Sequence, residues 1–366
     1  MVAGGDALAR DKSGRVVFVR GALPGERVAV RVVEEKKDFS RAEVVEVLEA
    51  SPWRQEAPCP MVAAGCGGCS WQHISPEGQV HFKLDIVKDA LRRTGRLSDP
   101  IVVAGPALAT SGYRTSVRLG VDASGRLGYR RAKSHEVLAV DHCMVAHPGL
   151  GDLVADYRVP HGHDVEIRIG VATGERTVMV DGVLDPDFSS VLHEAVAGHH
   201  FRVSAESFFQ TRTDGAEQLT NLVRAAGPSP VDHLVDAYGG VGLFAATSDS
   251  GSRLTLIESS ASSCRDAETN LHGRVATVVE QRVERWKPVQ ADRVVADPAR
   301  RGLGSEGVAA VAATGTSELI LVSCDPVSLA RDAYDLSKLG FVHDGSTTAD
   351  LFPHTSHVEV VTRFVR

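Results

Sequence analysis

The 366-residue chain is 43% hydrophobic and 24% charged, an ordinary soluble globular composition that excludes disorder and fibrous architecture. At roughly 150 residues per domain it should form two or three domains, with ample chain to bury a core without staples. A formal net charge of -7 gives no global argument for a nucleic-acid partner, so any such argument has to be local. Charges interrupt every apolar stretch of the N-terminal segment, and no later run approaches the roughly 20 apolar residues of a membrane helix. A cytoplasmic protein with no membrane partner is therefore expected. Six cysteines are too few for a disulfide scaffold; clustered in a reducing compartment, they point to metal or catalysis.

Residues 1–53 alternate β-branched and polar residues at Arg15–Val19, Arg27–Val33 and Ala42–Val47, with Pro24-Gly25 between the first two. The spacing predicts a small OB-type β-barrel. Residues 54–190 open with a cysteine cluster. They continue with a predicted helix over Val80–Thr94 and extended segments at Val165–Ile169 and Thr177–Val180. Between His81 and His135 stand eleven Lys or Arg against four acids, a basic stretch in an acidic protein and a candidate phosphate-facing surface. From residue 191 to 366 strands and helices alternate. Predicted strands lie at Val231–Asp236, Leu254–Glu258, Ala276–Val279, Arg293–Asp297, Leu319–Ser323 and Val358–Phe364, the rhythm of an α/β domain with a mostly parallel sheet.

Leu234–Phe244 reads as a strand running into a glycine-rich turn with Gly239, Gly240 and Gly242. Twenty-two residues after Asp236, Glu258 ends a second strand, where an acid can take ribose hydroxyls. The turn lacks the Gly-x-Gly-x-x-Gly of dinucleotide binders. That favours S-adenosylmethionine, which has no pyrophosphate to cradle, and Asp297 ends a third strand beside it. Cys59, Cys66 and Cys69 sit close together, with Cys143 far downstream. Three near thiols and one distant one suit a cubane iron–sulfur cluster, while His73 and His142 keep zinc open. Cys324 ends the strand Ile320–Ser323, and Asp325-Pro326 starts a predicted helix over Val327–Lys338. A thiol at such a helix head can have a lowered pKa and act as a nucleophile. Cys264, inside a predicted helix over Ser260–Leu271, reads as packing. Glu359 precedes the terminal strand and is a candidate general base if it reaches the same pocket.

Together these residues resemble the RNA uracil-5 methyltransferase family, which forms 5-methyluridine, over nearly the whole chain. The resemblance implies a Rossmann-like S-adenosylmethionine methyltransferase domain at 191–366. Before it come a TRAM barrel at 1–53 that binds RNA and a small iron–sulfur middle domain at 54–190. It makes Cys59, Cys66, Cys69 and Cys143 ligands of a 4Fe-4S cluster. Within Ser207-Phe208-Phe209-Gln210 it makes Gln210 a donor contact, alongside Tyr238, Glu258 and Asp297. In the segment from Val322 to Asp332 it makes Cys324 the nucleophile, and in His357-Val358-Glu359 it makes Glu359 the base. Leu243 stands where several members have a donor-contacting asparagine, and Ala299 replaces the second proline of Asp-Pro-Pro-Arg. The gap between Cys59 and Cys66 is a residue longer than in some members. Barrel and cluster together lean toward 23S ribosomal RNA over transfer RNA, acted on by a monomer. Arg114, Arg118, Arg130, Arg131 and Lys133 are candidate phosphate contacts. The competing reading is a non-catalytic RNA-binding module with a vestigial methyltransferase fold.

Overall fold

The structure, a computed structural model, describes residues 1–248 and 251–366. Four N-terminal strands, Ala7–Arg10, Val16–Arg20, Arg27–Glu35 and Phe39–Glu49, pair in the order first, second, fourth, third. The last two form an antiparallel ribbon with three register shifts, and such bulges raise the twist and curl the ribbon. Ala7, Val19 and Ala22 fill its small core. The first strand, Ala7–Arg10, carries no β-branched residue and was invisible to the alternation pattern. It pairs only with its sequence neighbour, so among the described residues the hydrogen-bonded ladder is an open curled sheet and not the closed barrel expected from strand spacing.

Helix Pro76–Arg93 begins four residues before the expected Val80. Ser75 caps it by accepting from the Gly78 N–H, Pro76 occupies its first turn, and Arg92 and Arg93 sit in its last turn. Its apolar face, Phe82, Ile86, Val87, Ala90 and Leu91, recurs every three to four residues. A six-stranded antiparallel sheet follows, built from Ser116–Val121, Leu127–Arg130, Val137–Ala139, Asp164–Ile169, Arg176–Val180 and Val183–Leu184. Val117, Leu119, Val165, Ile167 and Val178 alternate inward to make its core.

The C-terminal sheet has eight strands. In spatial order they are Ala276–Glu280, Arg253–Glu258, His233–Ala237, Arg293–Ala296, Glu318–Ser323, Glu359–Val365, Val342–Ala349 and Val102–Ala104. The first five run parallel. Glu359–Val365 is antiparallel to both of its neighbours. Central strands carry short apolar runs because both faces are covered. Val294, Ala296, Leu319 and Leu321 enter one core, while Val295, Ile320 and Val322 enter the other. Helices Thr213–Ala226, Ala261–Asn270, Gly304–Ala313 and Pro326–Ser337 pack on this sheet. Two segments of the 54–190 region join this core rather than the six-stranded sheet. Val87, Ala90, Leu91 and Val102 pack with Val294, Leu321 and Leu329. An amphipathic pattern announces a buried face but not whose core that face enters.

Candidate functional site

Strand His233–Ala237 has Arg253–Glu258 on one side and Arg293–Ala296 on the other, so the chain winds outward from it in both directions. At such a switch point the carboxyl ends of the strands leave a crevice. Here the crevice is a cavity of about 870 Å3, and Gln210, Tyr238, Glu258, Asp297, Cys324 and Glu359 all line it.

The glycine turn shapes one end. Tyr238, Gly240 and Gly242 take φ of +61°, +53° and +91°, a left-handed region that glycine enters at little cost. A Cβ on Gly239 would meet the Leu256 side chain at 2.5 Å, so only glycine lets the turn lie this close to the next strand. Beneath it the buried Asp236 accepts from the Ala245 N–H at 2.8 Å, fixing the start of the following helix. The Glu258 carboxylate accepts from the Gly240 N–H at 3.1 Å and from the Ser260 N–H at 2.7 Å, which holds it at the rim of the turn. Tyr238 donates its hydroxyl to Glu284 at 3.2 Å. Burial pushes the Asp297 carboxyl up to about 7. Leu243 also lines the cavity, offering an apolar wall in place of an amide.

The other end holds Cys324 and Glu359. Ser323 pairs with Val360 across antiparallel strands. One step past Ser323 and one step before Val360 lie Cys324 and Glu359, so the antiparallel pairing brings the end of one strand and the start of the other to the same sheet edge. Asp325 accepts from the Ser328 N–H at 2.7 Å and caps the helix that follows Cys324. The helix head does not lower the thiol pKa as the sequence suggested. Burial pushes the Cys324 thiol up to about 12, Glu359 and Asp297 add to the rise, and Arg300 opposes it. Desolvation and two carboxyl groups outweigh the helix terminus, so the resting thiol is protonated. Glu359 is only 7% exposed, and burial, then Asp297, hold its carboxyl well above the usual range.

The cysteine loop forms another wall, since Gly67, Gly68 and Ser70 line the same cavity. Burial pushes the Cys69 thiol up to about 11, and Cys143, Cys66 and Cys59 each add to the rise, so the four thiols share one neighbourhood. Cys59 donates its N–H to the Gln72 side chain at 3.0 Å. Among the described residues, no group of three His, Cys, Asp or Glu is arranged to hold a metal ion. His73 lies beside Arg54 and Glu26, and burial, then Arg54, pushes its pKa down to about 4.

The basic stretch is more neutral than its sequence. Arg118 and Arg130 both pair with Asp164, Arg131 pairs with Glu136, and Lys133 pairs with Glu43. Of the five candidate phosphate contacts, Arg114 is the one that lines the cavity. The sequence reading missed Arg300, Phe352 and His357, which line it too. Arg300 follows the Asp297-Pro298 strand end, a signal that could have been used. Phe352 lies in an irregular segment without a motif, and His357, though it opens the His357-Val358-Glu359 motif, was given no role there. Phe208, quoted for its motif alone, is 67% exposed at the cavity, whereas Phe209 is buried.

A TRAM domain matches residues 3–45. An uncharacterized RNA methyltransferase of Streptomyces avermitilis is 35% identical over 98% of this chain and 94% of its own length. The chain belongs to the RNA methyltransferase family. The 23S rRNA (uracil(1939)-C(5))-methyltransferase of Acidithiobacillus ferrooxidans is 28% identical to this RNA methyltransferase, covering 96% of the chain and 93% of its own. The crystal structure of the Pyrococcus abyssi tRNA (uracil-54, C5)-methyltransferase with S-adenosyl-L-homocysteine matches 99% of both chains. Its TM-score is 0.77 at 22% identity, so the fold is shared. No helix among the described residues is long and apolar enough to cross a membrane.

Proposed function

We propose that this RNA methyltransferase moves a methyl group from S-adenosylmethionine to carbon 5 of a uridine, through a covalent bond between Cys324 and the base. One observation carries the reading: Cys324 and Glu359 share a single cavity with Gln210, Tyr238, Glu258 and Asp297. S-adenosylmethionine supplies an electrophilic methyl on a cationic sulfonium. A cavity with Glu258, Asp297 and Glu359 in its walls suits a cation, and Gly239 and Gly240 expose backbone to it. The positive charge favours the ionised forms of Asp297, Cys324 and Glu359, whose protons leave to solvent. The Cys324 thiolate then adds to carbon 6 and turns the ring into an enolate, and carbon 5 takes the methyl. Glu359 removes the remaining proton from carbon 5, the sulfur–carbon bond breaks, and the aromatic ring is restored. Burial makes Glu359 a stronger base than a surface carboxylate, which matches a proton next to a carbonyl.

The target base must leave its stack to reach so deep a pocket, so unpaired RNA is the preferred substrate. Ribosomal RNA is the first choice, supported by the bacterial relative; transfer RNA is the second, supported by the shared fold. A non-catalytic module is disfavoured because all six candidate residues meet in one cavity. In this reading residues 1–53 and 54–190 present RNA, and 191–366 performs the chemistry. We infer further that Cys59, Cys66, Cys69 and Cys143 hold a 4Fe-4S cluster. Four thiols in one neighbourhood, of which burial raises the pKa of Cys66 and Cys69, are a donor set that a multivalent iron centre would deprotonate. Its role is structural, shaping the Gly67–Ser70 wall. Locating 5-methyluridine by mass spectrometry in RNA incubated with enzyme and donor tests the main reading; methyl groups on cytosine or on no RNA overturn it. Iron and acid-labile sulfide in anaerobically purified protein test the cluster, and zinc alone overturns it.

A further inference from the structure

Glu359 is delivered to the cavity by an irregular strap, residues 350–358, that joins the strand Val342–Ala349 to the strand Glu359–Val365. Phe352, Thr355 and His357 of the strap line the cavity. A segment without regular structure must find other partners for its backbone, and here four consecutive carbonyls are each taken by a group from elsewhere in the chain. Arg212 donates to the Leu351 carbonyl at 3.4 Å and the Lys83 ammonium to that of Phe352 at 3.1 Å. Tyr113 donates its hydroxyl to the Pro353 carbonyl at 3.2 Å, and Trp71 its N–H to that of His354 at 2.8 Å. His354 itself is buried at φ +67°, a conformation costly for a side chain this size, and donates its N–H to Gln79 at 2.6 Å.

Lys83 is the unusual member. Its side chain is 1% exposed in a helix whose other buried members are mostly apolar, and its ammonium also holds Asp350 at 2.6 Å. Burying a lysine is costly unless it is paired. This one spends both of its hydrogen bonds on the strap and does not itself line the cavity. The N-terminal segment closes over the same place, because Trp71 donates its ring N–H to the Gly5 carbonyl at 3.1 Å. A Cβ on Gly5 would lie 2.8 Å from Ser356.

We propose that Lys83, aided by Gln79, is a positioning residue that clamps the strap and so aims the Glu359 carboxyl at carbon 5 of the covalent intermediate. The inference rests on the role proposed above for Glu359. Lys83→Met should lower kcat between about 10- and 100-fold, as small misplacements of a reacting group do. KM for S-adenosylmethionine should stay within about twofold. The distinguishing readout is a covalent protein–RNA adduct on a denaturing gel. If proton removal is the step that fails, Lys83→Met accumulates methylated adduct, as Glu359→Gln does. A residue that merely holds the fold would lower all steps together and trap nothing. Lys83→Arg, which keeps the charge and the donors, should restore turnover in part. If Lys83→Met does not fold, Asp350→Asn carries the same test, since Asp350 is the partly exposed partner of the pair and asparagine keeps an oxygen that can accept from the ammonium. Folded Lys83→Met, or in its place Asp350→Asn, that turns over at the wild-type rate overturns the clamp. So does slowed turnover without adduct while Glu359→Gln accumulates it. Absence of adduct in Glu359→Gln overturns the base assignment, and the clamp with it.

Discussion

Asp297, Cys324 and Glu359 stand at strand ends whose backbones are bonded to neighbours on both sides. Cys59, Cys66, Cys69 and Cys143 stand in loops and are each only partly covered. The first set is aimed by sheet topology and needs no ligand to be in place. The second stands in loops, with no group arranged to hold a metal ion among the described residues. Replacing the first set should therefore damage chemistry and spare the fold, and replacing the second should do the reverse.

The sharpest way to break that contrast is Cys324→Ala. It should retain RNA binding and thermal stability while losing roughly 10⁴-fold or more in methyl transfer; clear residual turnover in a radiolabel assay removes Cys324 from the chemistry. Glu359→Gln should lose about 10²–10⁴-fold and stall as the methylated adduct. In the other region, Cys66→Ser should lower stability by about 2–3 kcal/mol and release iron. Turnover should fall only as far as the folded fraction does, and a stable, iron-loaded, inactive Cys66→Ser protein would erase the contrast. A smaller effect comes from a carboxyl at a strand end. Asp297, in the cavity wall, is pushed up to about 7 by burial. Below that pH it takes up a proton, which opposes a bound cation. Affinity for S-adenosylmethionine, measured by calorimetry, should therefore fall by up to about tenfold per pH unit from pH 7 to pH 5. S-adenosylhomocysteine, which lacks the sulfonium charge, should change little over the same range, and parallel profiles for the two would refute the assignment. Smallest of all is the surface comparison. Arg114→Ala should cut the salt dependence of RNA binding by about 0.7–0.9 in log–log slope. Arg118→Ala, which removes a charge already opposed by Asp164, should change it by less.

The C-terminal domain was legible because a sheet covered on both faces writes itself as short apolar runs, and its turns carry glycine or Asp-Pro. Strands predicted at Leu254–Glu258 and Leu319–Ser323 are found within a residue of those limits. The middle region was harder. Its strands Leu127–Arg130 and Val137–Ala139 are four and three residues long, too short to show a period. Strand Val102–Ala104 belongs to a sheet whose other members lie more than a hundred residues away. The acid partners of the basic stretch, Asp164 and Glu43, were equally out of reach of a local charge count.

From the amino-acid order alone came the rhythm of the catalytic domain, the glycine turn with its distant acid, and the residue types able to carry the chemistry. These are short-range matters, set by backbone sterics and by the alternation of buried side chains. Only the folded chain decided that Cys324 meets Glu359, that burial raises both of their pKa values, and that a buried lysine far upstream holds the strap between them. Those outcomes depend on an antiparallel strand inserted beside a parallel one and on the exclusion of water, and neither is encoded in any stretch of neighbouring residues.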